Sequence, residues 1–182
     1  MKLRFDESSQ YLHKSLKLFE EIATFDQKNL QGKFDLASVY SEFGILHHKK
    51  GDYSSAVNYL EKSLQYFDEV VAKDAKNLAA VTYKIDILLQ LIETQTKSNQ
   101  LEKALITSNQ TDELWQKSRI ETEYNNNQLG KILLTRGVVL KKLSRLPAAK
   151  EELQKSLEIM KKSNSEENQL LAQIVERELQ NL

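Results

Sequence analysis

Three histidines are the side chains of this sequence best suited to acid–base or metal chemistry, and their spacing favours neither. His47 and His48 are adjacent, so on a helix they point about 100° apart and cannot converge on one metal ion. We expect His47 to pack in place of a core aromatic, His48 to face the surface or a groove, and His13 to lie on the surface. No carboxylate stands beside a second His at metal-ligand spacing, and no G-x-S-x-G turn surrounds a Ser. We therefore predict no catalytic residue, no metal, no cofactor and no enzyme activity.

The charge balance and the composition exclude several classes of partner. Lys plus Arg and Asp plus Glu both number 26, so no excess positive charge attracts nucleic acid or anionic lipid. The 182 residues include no Cys. They also contain no apolar run of about eighteen residues that could span a bilayer. We expect a cytoplasmic chain that binds neither nucleic acid nor membrane; the sequence alone does not fix its oligomeric state.

The sequence contains nearly the same helical segment twice. YLHKSLKLFEEIATFDQKNL begins at Tyr11 and YLEKSLQYFDEVVAKDAKNL begins 48 residues later at Tyr59, with eleven of twenty positions identical. A weaker third copy, LQKSLEIM, begins at Leu153. Apolar residues recur every three or four positions, which is the period of an α-helix. Repetition at this interval predicts an all-α array of stacked helical hairpins.

The segment between the two copies resembles a tetratricopeptide repeat. Its pattern has a large aromatic, a Leu-Gly-like pair, a second aromatic, a Gly turn, a small Ala and a later small residue. The residues at these places are Tyr40, Phe43, Gly44, His47, Gly51, Ala56 and Ser63. The resemblance implies a right-handed superhelical stack of antiparallel helical hairpins with terminal capping helices. Gly44 and Ala56 are then expected where the two helices cross, because only small side chains let the backbones approach closely.

The same arrangement recurs 93 residues later, where Gly137 and Ala149 occupy the places of Gly44 and Ala56. The middle unit is the most degenerate, since Ile92 replaces the glycine. There we expect a second helix lengthened by seven residues, followed by a loop at Asn125, Asn126 and Asn127. The predicted single domain, 1–182, divides into a leading helix (8–29), three hairpins (30–74, 75–124 and 125–163) and a capping helix (166–182). On the capping helix we expect one apolar face, formed by Leu170, Ile174, Val175 and Leu179.

The long period also resembles the helical arrays attached to some bacterial serine/threonine kinases. The resemblance rests on a D-x-x-N joint, at Asp26 to Asn29 and Asp74 to Asn77, followed by a D-L-A-x-x-Y segment from Asp35. The chain has no glycine-rich phosphate loop and no kinase catalytic segment. Kinase activity is therefore not implied.

The first helices of such hairpins line a concave groove suited to a peptide or a partner helix. We predict that the chain is a non-catalytic scaffold that binds a protein or peptide in this groove through a partner segment carrying both charges. The alternatives are a secretion-type chaperone that shields an apolar segment of a client, and a small-ligand sensor. A clamp for an acidic carboxyl-terminal tail is not expected, because only Lys131 fits it. The predicted groove residues are Ser38, Ser41, Ile45, His48, Asp86, Leu89, Glu93, Lys131, Leu134, Val138 and Lys141.

Overall fold

The computed structural model describes residues 2–26, 28–74, 76–118, 123–163 and 165–182, and over these ranges it contains α-helices and no strand. The helices are α1 (Lys2–Phe25), α2 (Leu30–Lys50), α3 (Tyr53–Lys73), α4 (Leu78–Lys97), α5 (Leu101–Ser118), α6 (Glu123–Lys142), α7 (Leu146–Lys161) and α8 (Glu166–Gln180). The prediction of an all-α fold is confirmed. Within these ranges no helix is both long enough and apolar enough to cross a membrane.

The chain forms two compact units, Met1–Thr94 and Gln95–Leu182. The first unit holds α1, α2, α3 and most of α4, and the second holds the last residues of α4 with α5 to α8.

In the first unit, α2 and α3 form an antiparallel hairpin around a tight turn. Gly51 ends α2 with a φ of 80°, a left-handed conformation that glycine adopts without strain, and Asp52 then caps α3. The Ser63 hydroxyl donates a 2.7 Å hydrogen bond across the hairpin to the Ala37 carbonyl. A Cβ on Gly44 would lie 2.6 Å from Leu60 Cγ, so the helices cross closely at the predicted glycine.

The duplicated D-x-x-N joint is a helix-starting device that occurs twice. Asp26 Oδ1 accepts a hydrogen bond from the Lys28 backbone N–H, and Asn29 Oδ1 then accepts one from Gly32 N at 2.9 Å, which caps α2. Asp74 and Asn77 make the corresponding hydrogen bonds before α4, at 3.2 and 3.0 Å. A side-chain acceptor at this position satisfies an N–H that the first helical turn leaves unpaired.

Aromatic side chains fill the space between α1, α2 and α3. Phe43 stacks on Tyr59 with ring centroids 5.0 Å apart, and Tyr40 stacks on Tyr66 at 5.8 Å. The Tyr40 hydroxyl donates a 2.8 Å hydrogen bond to Glu20, which ties α1 to the hairpin. Burial, followed by this carboxylate, raises the pKa of Tyr40 well above its ordinary value. One apolar cluster of the unit comprises Ala37, Leu60, Phe67, Val70, Ala80, Ile87 and Leu91.

In the second unit, α6 and α7 repeat the geometry of the α2/α3 hairpin at the predicted offset of 93 residues. Ser156 donates a 2.7 Å hydrogen bond to the Gly130 carbonyl, as Ser63 does to Ala37. A Cβ on Gly137 would lie 2.7 Å from Leu153 Cγ. The close crossing is therefore built the same way in both hairpins.

Arg136 joins α5, α6 and α7 through two carboxylates. Its Nη1 lies 2.8 Å from Asp112 Oδ2, and its Nη2 lies 2.6 Å from Glu152 Oε2. Burial alone would lower the pKa of Arg136, but the hydrogen bonds to Asp112 and Glu152 outweigh it and raise the pKa. The guanidinium is thus a charged crosslink between three helices.

Two expectations for the middle of the chain are wrong. Asn125, Asn126 and Asn127 lie within α6, which begins at Glu123, and do not form a loop. The seven-residue insertion expected in the second helix of the middle unit is absent from the described part of α5, Leu101–Ser118. Its buried residues keep the simple offset of 48 from α3: Ala104, Ser108 and Thr111 stand where Ala56, Leu60 and Ser63 stood.

Candidate protein-binding surface

The predicted groove residues of the first unit lie on α2 and α4, and the two serines are turned toward their own helix. Ser38 Oγ donates a 2.9 Å hydrogen bond to the Phe34 carbonyl, and Ser41 Oγ donates one of 2.8 Å to the Ser38 carbonyl. Ser41 is buried and Ser38 is half-buried. Their hydroxyl protons are therefore already used within α2.

His48 connects α2 to α4. The Thr94 hydroxyl donates to the Gln90 carbonyl at 2.7 Å, so its oxygen accepts a 2.9 Å hydrogen bond from His48 Nδ1. The Nε2 atom of His48 lies 3.5 Å from Glu93 Oε1, and its ring meets Tyr53 edge-on at 5.4 Å. The fold thus brings His48 and Glu93, two of the predicted groove residues, close together.

The other predicted positions of the first unit differ in exposure. Ile45, Asp86 and Leu89 are half-buried, whereas Glu93 is exposed. On this face, apolar side chains are therefore only partly accessible.

In the second unit, the two predicted lysines of α6 are bound to carboxylates of α8. Lys131 Nζ lies 2.6 Å from Glu167, and Lys141 Nζ lies 2.9 Å from Glu178. Lys131 lowers the pKa of Glu167 against the opposing effect of burial, and Asn127 adds a 3.1 Å hydrogen bond to that carboxylate. The two ion pairs therefore fix α8 beside α6.

The two apolar groove residues predicted on α6 lie against the core of the second unit. Leu134 is buried in a cluster with Leu153 of α7 and Val175 of α8, and Val138 packs against that cluster. Leu134 thus has little surface to offer a partner.

The exposed apolar residues of this region lie on α8. Leu170 is 60% exposed and Ile174 is 36% exposed, whereas Val175 is fully buried. The expectation that they share one face with Val175 and Leu179 is therefore wrong. Glu167, Leu170, Ile174 and Glu178 recur at helical spacing, so they follow one side of α8. We call this surface the α6/α8 patch; its residues are Lys131, Lys141, Glu167, Leu170, Ile174 and Glu178.

The remaining histidines have structural partners. His47 lies against the Tyr59 ring at 5.1 Å, and its Nδ1 is 2.9 Å from Asp52 Oδ2. Hydrogen bonds from Ser55, followed by His47, lower the pKa of Asp52. His13 meets Phe43 edge-on at 4.9 Å. Over the described part of the chain, no group of three or more His, Cys, Asp or Glu side chains could hold a metal ion.

Comparison with known proteins identifies the hairpin of the first unit. Residues 37–68 match the tetratricopeptide repeat family, a segment that covers much of α2 and α3. The fold is similar to the crystal structure of BtubC (BKLC) from P. vanneervenii, with a TM-score of 0.68 and 14% identity over 98% of this chain and 74% of that chain. At this identity the likeness concerns the fold alone. No curated protein sequence matches the chain. The predicted resemblance to tetratricopeptide repeats is confirmed, and that to kinase-attached arrays stays a prediction.

Proposed function

Because the chain carries a tetratricopeptide repeat within an all-α helical-repeat fold, we propose that it is a non-catalytic scaffold that binds a segment of a partner protein. Repeats of this family generally mediate contacts between proteins. The proposed binding surface is the α6/α8 patch. The observation that carries the proposal is the exposure of Leu170 and Ile174, one turn apart on α8.

The chemistry of the patch defines the partner segment. Two neighbouring apolar side chains accept apolar residues one turn apart, which is the spacing on one face of a helix. The ion pairs Lys131–Glu167 and Lys141–Glu178 present both charges. A partner helix with apolar residues at its centre and mixed charges at its margins complements this arrangement, whereas a purely acidic tail would be repelled by Glu167 and Glu178.

The expected affinity follows from the apolar area. Covering the exposed parts of Leu170 and Ile174 contributes about 1 kcal/mol each, and a partner buries a similar area of its own. Exposed ion pairs add roughly 0 to 1 kcal/mol apiece and mainly set orientation. Together these contacts supply roughly 4 to 6 kcal/mol before the entropic cost of association, so we expect weak, reversible binding with a dissociation constant of about a millimolar.

Site-specific photocrosslinking in native lysate tests the proposal. A photoreactive phenylalanine derivative replaces Leu170 in one variant and Leu146 in another, because both leucines belong to the second unit and are exposed. We expect a discrete protein adduct from position 170 and none from position 146. The adduct should disappear when Ile174→Ser is added. Equal adducts from both positions, or an adduct unaffected by Ile174→Ser, would show that the patch does not bind a specific partner.

A further inference from the structure

Helix α1 carries apolar residues on two sides, and one of these sides is largely exposed. On the packed side, Glu20 binds Tyr40 and His13 meets Phe43. On the other side, apolar residues at spacings of seven, four and three form a stripe that is exposed in the described structure. We call it the α1 stripe: Tyr11 (70% exposed), Leu18 (60%), Ile22 (43%) and Phe25 (95%).

The internal repeat shows how the equivalent face of α3 is used. Tyr59, which corresponds to Tyr11, stacks on Phe43 of α2, and Val70, which corresponds to Ile22, is fully buried. Tyr66, which corresponds to Leu18, stacks on Tyr40, so α2 covers both of these α3 tyrosines. Ile22 already lies beside Gly32 of α2, but Tyr11 and Leu18 retain side chains suited to a helix contact that the first unit does not complete.

We propose that the α1 stripe is a self-association surface on which α1 of a second copy packs antiparallel to the first. Two-fold symmetry sets the same stripe against itself, with the axis near Leu18 and Tyr11 of one copy close to Phe25 of the other. The stripe extends over four turns of helix, and Ser15 lies between its large side chains so that the two backbones can approach.

Charge complementarity selects the second copy and its orientation. Lys14 and Glu21 are exposed, lie seven residues apart and therefore occupy the same side of the stripe. In an antiparallel pair this side faces its own counterpart, so Lys14 of each copy comes within reach of Glu21 of the other. In a parallel pair, the side that carries Lys14 and Glu21 would instead face the side of the other copy that carries Ser15 and Ile22. No ion pair would then form. The arrangement is self-complementary in both shape and charge.

Sedimentation velocity on the full chain, from low micromolar to several hundred micromolar, tests this proposal. Wild-type protein is expected to shift from monomer to dimer as its concentration rises. Leu18→Glu and Phe25→Ser should each raise the dimer dissociation constant by roughly tenfold or more, because each removes apolar contact at the interface. Leu146→Ser is the matched control on an exposed leucine of the second unit, and it should leave the dimer unchanged.

Charge reversal tests the orientation. Lys14→Glu and Glu21→Lys should each weaken the dimer several-fold, and the double variant Lys14→Glu/Glu21→Lys should restore it. Circular dichroism verifies that each variant retains its helix content. A chain that stays monomeric at every concentration overturns the proposal and assigns the stripe to a different helix. Dimerisation that survives both Leu18→Glu and Phe25→Ser also overturns it, and a double variant no stronger than the single ones overturns the antiparallel arrangement. Because α1 belongs to the first unit and the α6/α8 patch to the second, sedimentation and photocrosslinking test the two proposals separately.

Discussion

Replacing Gly137 with alanine tests the close crossing of α6 and α7. A Cβ at this position would lie 2.7 Å from Leu153 Cγ, 2.9 Å from its Cδ2 and 3.4 Å from the Ala149 carbonyl oxygen. Leu153 is fully buried, and its Cγ moves only if χ1 changes, so the helices must separate or the side chain must leave its rotamer.

The expected magnitude comes from two opposing effects. Alanine in place of a helical glycine stabilises a helix by about 1 kcal/mol. Overpacking a tight core site costs roughly 1 to 3 kcal/mol. We therefore expect Gly137→Ala to lower the free energy of unfolding by about 1 kcal/mol. In a Leu153→Ala background the clash is absent, so Gly137→Ala should instead raise the free energy of unfolding by about 1 kcal/mol.

Gly130, on the same helix, provides the matched control. Its Cβ would meet the terminal methyl group of Met160, the flexible end of a side chain that can move at little cost. Gly130→Ala should therefore be neutral or stabilising. Urea unfolding is followed by circular dichroism and by the fluorescence of Trp115, the single tryptophan, which lies in α5 of the same unit. If Gly137→Ala stabilises as much as Gly130→Ala, the close approach does not explain the glycine.

Other contacts give further measurable expectations. Arg136→Ala leaves two part-buried carboxylates unpaired and should lower the free energy of unfolding in urea by about 3 kcal/mol. Lys155→Ala removes an exposed ion pair and should not change the unfolding midpoint measurably. Asn77→Ala removes the cap of α4 and should lower the free energy of unfolding by about 1 kcal/mol in the same assay. Since burial and Glu20 raise the pKa of Tyr40, the stability that neutral Tyr40 contributes is complete below its ordinary pKa of about 10 and declines as pH rises above it. Tyr40→Phe should flatten this alkaline decline in thermal unfolding measured from neutral to alkaline pH; an unchanged slope would contradict the linkage.

The hairpins were predictable because the residues that determine them are close together in sequence and occur in both hairpins. At Gly44 and Gly137 the helices cross so closely that only a residue without a side chain fits. Ser63 and Ser156 each join the crossing helices with a hydrogen bond to a backbone carbonyl. Such requirements restrict residue type at a fixed spacing, so the offset of 93 residues indicates them without coordinates. The Asp26 to Asn29 joint is local in the same way, because both of its side-chain hydrogen bonds join residues at most three apart.

The prediction for the middle of the chain was wrong because it relied on the intrinsic preference of asparagine for turns. Three consecutive asparagines favour a turn, but Asn127 lies within α6 and donates to Glu167 of α8. Such long-range contacts can override a propensity of less than about 1 kcal/mol per residue. The register of α5 was obscured because polar Ser108 and Thr111 occupy buried positions, and a pattern based on apolar residues does not detect them.

The partner surface was only partly predictable, because periodicity gives the angle between two side chains but not which neighbour lies at each angle. Leu134 and Leu170 are both apolar and both at helical spacing, yet one is buried and the other exposed. The difference is the position of α8, which is held by Lys131 and Lys141. Charged residues that were expected to face a partner instead determine which apolar residues remain accessible.

The same principle explains why α1 points to a second copy. Tyr11 and Tyr59 are the same residue in the same local sequence, yet Tyr59 is enclosed by Phe43, His47 and Tyr40 while Tyr11 is largely exposed. Local sequence therefore does not decide which of the two tyrosines is partly covered; the presence of a neighbouring helix does. A helix that keeps the residues of a covered face gains free energy whenever a complementary helix is supplied at sufficient concentration. With Lys14 and Glu21 placed to pair across a two-fold axis, α1 of another copy meets that requirement.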